Sequence, residues 1–288
     1  MDIIMCIEET DVVDVMTIKR NQKNKIVTET CHEDICVKHL DLTSFNSVKC
    51  FAKELTRNEE HLDVLINNAG VFCMKHKKTC DGLDAVMQVN HFGPFLLTHL
   101  LTDLLKKSDG GRIIFITSTG AFLNNLNLQT LTEPMTFSPD ILATAVNYYN
   151  SKLCNMISSI GFARKLESCN VTCNCLHPGM TNTDFMVKVA PDDGYIEKMA
   201  KKFTKEVLKY TTRDVVQAVG LCTFLATSDS VKHMTGKFFV DYQVHSQPRV
   251  LEDNEFCTSI WNESEMLTGV NCEEKSTGQN LGKKKFLL

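Results

Sequence analysis

Apolar positions along the chain follow two alternating patterns. Short, nearly continuous apolar runs occur at Ile35–Leu40 (ICVKHL), Leu62–Ile66 (LDVLI), Arg112–Thr117 (RIIFIT), Val171–Leu176 (VTCNCL) and Lys237–Val240 (KFFV). Each has the length of a strand, and unbroken apolarity is what a strand covered on both faces shows. Between the runs lie stretches with helical spacing. Phe45–Thr56 carries Val48, Phe51, Ala52 and Leu55 on one face, and Asp84–Lys107, Tyr148–Leu166 and Val215–Thr227 read the same way. Strands alternating with long helices predict βαβ units and a parallel sheet, an α/β fold with helices on both faces. There is no internal repeat. A single domain over 1–271 is expected, with 1–19 atypical, followed by a polar tail at 272–288 that should fray.

Composition narrows the class. The 288 residues are 43% hydrophobic and 23% charged, which excludes a disordered or fibrous chain and permits a large core. Acidic residues outnumber basic ones, 35 to 31, for a net charge of −4, which argues against a nucleic-acid partner. The 13 cysteines include no CxxC pair, and Cys173 and Cys175 are the closest two. They read as small buried hydrophobes in a reducing compartment. The start, MDIIMCIEETD, lacks a basic n-region, and no apolar run approaches the ~18 residues that span a bilayer. The chain as given therefore reads as soluble and cytoplasmic. The acceptor patterns at Asn170 and Asn262 are then accidental, and Lys283–Lys285 is a solvated run.

Candidate chemistry gathers at predicted strand ends. Tyr148 and Lys152 are spaced i, i+4, which places them on one helix face. An ammonium near a phenol favours the phenolate, so the pair could move a proton to or from a carbonyl oxygen during hydride transfer. Ser118 closes RIIFITS, at the carboxyl end of the sheet where open α/β sheets bind ligands, and could donate to a substrate oxygen. Asn90 is an amide inside an apolar helix, costly unless paired. Asn67-Asn68-Ala69-Gly70 ends a second strand, and His177 to Thr183 (HPGMTNT) ends a fourth. Plainer readings stand beside these. Tyr149 could compete with Tyr148, although its i+4 residue is Leu153. Tyr148 could pack on the sheet, Asn90 could be a core amide, and Asp41 could be a turn or N-cap residue before Thr43 and Ser44. His91, His99 and His177 show no metal spacing and read as packing residues.

The segments VKHLDLTSFNSVKCFAKEL, LDVLINNAGV, VNHFGPFLLTHLLTDLLKKS, GRIIFITS, YYNSKLCN, HPGMTNT and TGKFFVD, in this order, resemble the short-chain dehydrogenase/reductase family, and within it the retinol-dehydrogenase-like branch. The resemblance covers about residues 20 to 268. It implies a Rossmann-type doubly wound parallel sheet and a catalytic tetrad of Asn90, Ser118, Tyr148 and Lys152. Tyr148 is then the acid/base, Lys152 lowers its pKa and holds the nicotinamide ribose, Ser118 polarises the substrate oxygen, and Asn90 holds a relay water. Asp41 would meet the adenine, Asn68, Ala69 and Gly70 would line the ribose side, and Pro178, Gly179, Thr181 and Thr183 would flank the nicotinamide and phosphates. The 30-residue step from Ser118 to Tyr148 suits the branch, which carries an insertion there. The implied cofactor is NADP rather than NAD. The implied substrate is a small apolar alcohol or aldehyde, with Asp184–Tyr210, carrying Phe185, Met186, Met199 and Phe203, as a variable lid. Homo-oligomerisation stays open.

One family feature is missing. The glycine-rich TGxxxGxG loop should follow the first strand, yet the first glycine of the chain is Gly70. MDIIMC resembles the family's second strand and KNKIVTET the end of the next helix, so the first βα unit is expected to be absent. The residue that would select a 2′-phosphate is Ile7, followed by Glu8 and Glu9. Losing the first strand should leave MDIIMC and Leu62–Ile66 without their shared neighbour. Either Val12–Ile18 fills the gap, or the chain is an incomplete or alternative product, the reading preferred on sequence. The parent would then carry an N-terminal anchor at the endoplasmic reticulum membrane. The rival to an oxidoreductase is a catalytically impaired isoform or a non-catalytic binding protein that keeps the fold remnant.

Overall fold

The structure is a computed structural model that describes residues 3–5, 27–28, 35–72, 78–134, 140–179 and 215–270. Val12–Ile18, Met180–Thr183, the expected lid at Asp184–Tyr210 and the tail lie outside the described residues. The described strands are β1 (Ile3–Met5), β2 (Val64–Asn67), β3 (Arg112–Ile116), β4 (Thr172–Leu176), β5 (Phe238–Val240) and β6 (Gln243–His245). They form one sheet in chain order, parallel from β1 to β5, with β6 antiparallel at the far edge. This is the expected α/β, Rossmann-type arrangement.

The helices are α1 (Phe45–Asn58), α2 (Ala85–Met87), α3 (Gly93–Lys106), α4 (Leu128–Thr132), α5 (Asp140–Lys165), α6 (Val215–Thr227) and α7 (Asn254–Thr268). α1 starts where Ser44 accepts a hydrogen bond from the Ser47 amide, and it buries Val48, Phe51, Ala52 and Leu55, the apolar face read from its spacing. The predicted Asp84–Lys107 helix is α2 and α3 joined by a π-helical turn, Gln88–Phe92. α5 starts before Tyr148, at Asp140.

Strand residues alternate between two cores. Leu65, Ile113, Phe115, Cys173, Cys175 and Phe238 face one cluster, shared with Phe95, Phe162 and Trp261 of α3, α5 and α7. Val64, Ile66, Ile114, Ile116, Leu176 and Phe239 face the other, closed by Leu221 and Leu225 of α6. Both faces are covered, which is why the strand runs read as continuously apolar.

Four expectations are corrected. Ile35–Leu40 is not a strand: it runs outside the sheet, and none of its residues is buried. β1 and β2 do not flank a gap but pair directly, Ile3 with Val64 and Met5 with Ile66. Ile35–Leu40 pairs with none of the described strands, and a run without a ladder is not a strand. The KFFV strand is not the last, because β6 follows through a two-residue turn. Asp241 and Tyr242 both have positive φ, 53° and 65°, the backbone a tight hairpin needs. α7 was not read from the pattern at all. Fourth, among the cysteines, Cys154, Cys173, Cys175, Cys222 and Cys257 are buried as expected, but Cys36, Cys50 and Cys80 are exposed. Burial pushes the Cys175 thiol up to about 12 and the Cys222 thiol up to about 11, so these act as apolar groups. No helix among the described residues is long and apolar enough to cross a membrane.

Candidate active site

Because β1 to β5 are parallel, their carboxyl ends share one sheet edge. Asn67 pairs with Phe115 and Ile116 with Leu176, so the chain after β2, β3 and β4 leaves from neighbouring points on that edge. Asn68–Gly70, Thr117–Gly120 and His177–Gly179 therefore start side by side, and α5 packs across them.

Lys152 is the centre of the arrangement. Its side chain is buried, 3% exposed, and the ammonium donates to the Ile116 carbonyl oxygen at 3.2 Å. Its own carbonyl accepts from Thr117 Oγ1 at 2.7 Å, fixing α5 against the end of β3. The ammonium lies 5.4 Å from the centroid of the Tyr148 ring, on the shared helix face. A Cβ placed on Gly70 would come within 3.0 Å of Lys152 Nζ and 3.4 Å of Asn90 Oδ1. The loop approaches the ammonium closely enough that a side chain at this position would crowd both groups, so glycine suits it.

Asn90 is fully buried and fully paired. Its Oδ1 accepts from the Val71 amide at 2.7 Å, and its Nδ2 donates to the Val71 carbonyl at 2.8 Å and to Ser151 Oγ at 2.9 Å. Ser151 Oγ in turn donates to the Tyr148 carbonyl at 2.7 Å. The side chain thus clamps the loop after β2 onto α5. The cost of an amide in an apolar helix is met by three bonds. The π-helical turn carries Asn90 and lies between α2 and α3.

Ser118 is half-buried and caps the 3-10 turn Thr119–Leu123. Its Oγ accepts from the Gly120 amide at 3.1 Å, which leaves the hydroxyl proton for donation elsewhere. Tyr149 packs over Gly120, where an added Cβ would run into its ring. That contact gives Tyr149 a packing role and sets it apart from Tyr148, whose ring lies 5.2 Å from Phe72.

The pKa expectation for Tyr148 is reversed. Burial raises its phenol above the ordinary range, and the neighbouring Tyr149 raises it further. Lys152 does not outweigh the loss of solvation here, so the phenol is held protonated.

Asp41 serves the turn before α1. Its Oδ1 accepts from the Thr43 amide at 2.9 Å and from Thr43 Oγ1 at 2.6 Å, while the N-cap itself is Ser44. The structure thus brings Gly70, Asn90, Tyr148 and Lys152 together, with Ser118 one residue from the Thr117 contact. Ala69 is buried in the loop, and Asn68 donates its amide to the Ile66 carbonyl at 3.1 Å. Pro178 and Gly179 leave β4 at the same edge, Gly179 with a φ of 89°. Thr181 and Thr183 lie outside the described residues. Ser151 and Val71 were missed. Ser151 had one readable signal, a hydroxyl between Tyr148 and Lys152 on a helix that buries that face.

Three comparisons bear on this site. The family model for short chain dehydrogenase matches residues 6–130. Retinol dehydrogenase 14 of Mus musculus is 34% identical over 236 residues, 82% of this chain and 68% of its own length. Retinol dehydrogenase 13 of Homo sapiens is 31% identical over 246 residues, 84% of this chain and 71% of its own length. Among solved structures, NADPH-bound carbonyl reductase from chicken fatty liver superposes with a TM-score of 0.55 at 20% identity, covering 85% of this chain and 87% of that one.

Proposed function

This chain belongs to the short-chain dehydrogenase/reductase family of NAD(P)-dependent oxidoreductases, in its retinol-dehydrogenase-like branch, and we propose that it interconverts an apolar alcohol with its aldehyde or ketone. The observation that carries the reading is Lys152, a buried ammonium held between the Ile116 carbonyl and the Gly70 loop, with the Tyr148 ring beside it. A single domain, NADP rather than NAD, and a retinoid-like substrate belong to the same proposal. They rest on the resemblance and on the names of the retinol dehydrogenases.

The riboside end of a nicotinamide cofactor fits the residues present. Lys152 Nζ, a buried cation beside the Gly70 loop, could donate to a ribose hydroxyl there. When bound, the nicotinamide supplies or accepts the hydride. The chain supplies the rest. Ser118, whose Oγ already accepts from Gly120, turns its proton toward the substrate oxygen. Tyr148, held protonated by burial, gives its proton to that oxygen as an aldehyde becomes an alcohol, and takes it back in the reverse direction. Asn90 keeps the Gly70 loop and α5 in register through Val71 and Ser151. Asn68, Ala69, Pro178 and Gly179 line the cofactor side. Asp41 is assigned to the adenine side through the carboxylate oxygen that Thr43 does not engage.

The test is turnover of retinal and of decanal with NADPH and with NADH. Tyr148→Phe should lower kcat by about 10²–10⁴-fold, the usual worth of a positioned acid/base. Turnover equal to the parent chain would overturn the mechanism. Cofactor binding without any turnover by the parent chain would favour the non-catalytic reading.

A further inference from the structure

We infer that Thr117 is a positioning residue of this site: its hydroxyl ties the turn of α5 that carries Tyr148 and Lys152 to the strand end that carries Ser118. The inference rests on the oxidoreductase reading above and deepens it.

Consecutive residues at the carboxyl end of β3 meet the site in different ways. The Ile116 carbonyl accepts from the Lys152 ammonium at 3.2 Å. Thr117 Oγ1 donates to the Lys152 carbonyl at 2.7 Å. Ser118 is the residue assigned to the substrate oxygen. The first two bonds close a ring that runs along the backbone from Ile116 to Thr117 and along the Lys152 side chain from carbonyl to ammonium. Ile116, Thr117 and Lys152 are all buried. The Thr117 amide donates to the Leu176 carbonyl at 2.8 Å, which anchors the strand side of the ring to β4.

A buried hydroxyl needs a partner, and in α3 and α7 it finds one locally. Thr98, Thr102 and Ser264 donate to the carbonyls of Pro94, Thr98 and Ile260, each one turn back in its own helix. Ser151 does the same with Tyr148. Thr117 instead reaches across 35 residues to another element. The helix does not require this bond, because Lys152 lies inside α5, where its carbonyl also accepts a helical amide. What the bond adds is register between α5 and the end of β3. The Gly70 loop bounds the ammonium on another side, since a Cβ there would stand 3.0 Å from Nζ. A shift of α5 would therefore move the ammonium against fixed neighbours and away from its place relative to Ser118. Misplacement by an ångström can cost about 10²-fold in rate.

The experiment compares Thr117→Val, which removes the hydroxyl and keeps the shape, with Thr117→Ser, which keeps the hydroxyl. The full chain is assayed for decanal reduction and decanol oxidation with whichever cofactor, NADPH or NADH, the parent chain prefers. Binding of that cofactor is followed separately by dihydronicotinamide fluorescence. Thr117→Val should lower kcat by about 10–10²-fold. It should weaken cofactor binding by roughly threefold or more, because the ammonium that meets the ribose is displaced. The pH profile of decanol oxidation should move to higher pH, because an ammonium set back from the Tyr148 ring favours the phenolate less. Thr117→Ser should restore kcat and affinity to within about threefold of the parent chain and return the pH profile. Parent-like kcat, pH profile and affinity in Thr117→Val would overturn the inference and leave the proposed function standing. A lowered kcat with an unmoved pH profile would also overturn it, since that is what a loss of folded chain alone produces. If the parent chain binds cofactor without turnover, the proposed function falls and affinity decides. Weaker binding by Thr117→Val that Thr117→Ser restores then upholds the inference, and equal binding overturns it. No binding by a parent chain with a cooperative melt overturns both. Should Thr117→Val lose its cooperative melt, Thr117→Ala takes its place with the same expectations.

Discussion

Ile35–Leu40 and Arg112–Thr117 look alike as sequence and end in opposite states. Both are short apolar runs followed by a polar or small residue. The second becomes β3, paired on both sides, with Ile113, Ile114 and Phe115 at 1% exposure or less. The first runs extended outside the sheet with Cys36 and His39 exposed. The difference lies in what is next to each. β3 has β2 and β4 in register over four and five residues, whereas Ile35–Leu40 lies beside no described strand in register with it. An apolar run states a preference for burial, and a ladder requires a neighbour with matching free backbone groups.

The largest effect that could break this contrast is in the core. Phe115→Ala should cost about 3–5 kcal/mol in urea unfolding, because the ring is fully buried against Phe162. Ile35→Ala, in the half-buried run, should cost less than about 1 kcal/mol. Equal losses would mean that Ile35–Leu40 is as well packed as β3.

Next in size is a pH effect seated on the same side of the sheet. His91 is buried against Ser264, at 2.8 Å from its Nε2, and burial lowers its pKa from 6.5 to about 3. The unfolded chain binds the proton more readily than the folded one between these values. Stability is therefore whole above pH 6.5 and is lost as pH falls toward 3, by at most on the order of 4 kcal/mol from this residue. His91→Phe should flatten that slope relative to the parent chain. Parallel pH profiles for the two would show that the imidazole is solvated.

The smallest effect belongs to the edge. β1 pairs three residues on one side only, so Ile4→Pro should lower stability by no more than about 1 kcal/mol. Amide exchange should find residues 3–5 opening long before residues 113–116. Protection of β1 equal to that of β3 would make the edge part of the cooperative core and would blur the distinction drawn above.

Much of the site was readable in advance because its elements are local. α1 was legible to the residue: Val48, Phe51, Ala52 and Leu55 are spaced for a helix and are the four it buries. The Tyr148 and Lys152 pair was legible because helical geometry alone puts i and i+4 on one face. α7 carried readable signals too, an aspartate cap at Asp253 and Gly269 after its end, with Cys257, Ile260, Trp261 and Ser264 buried at helical spacing. β6 was hidden because its turn is Asp241-Tyr242, a pair that lacks the glycine by which hairpins are recognised.

Local periodicity and helix faces were written into the residues, since each depends on neighbours a few positions apart. The rest required the chain to be folded. Which apolar run obtains a ladder depends on which strand takes the place beside β2, and in the folded chain that is β1. Whether Asn90 serves a water or a loop depends on Val71 and Ser151, 19 residues before it and 61 after it. Whether a phenol beside a lysine is acidified or held protonated depends on how much water the packing leaves around it, and that quantity exists only once the core has closed.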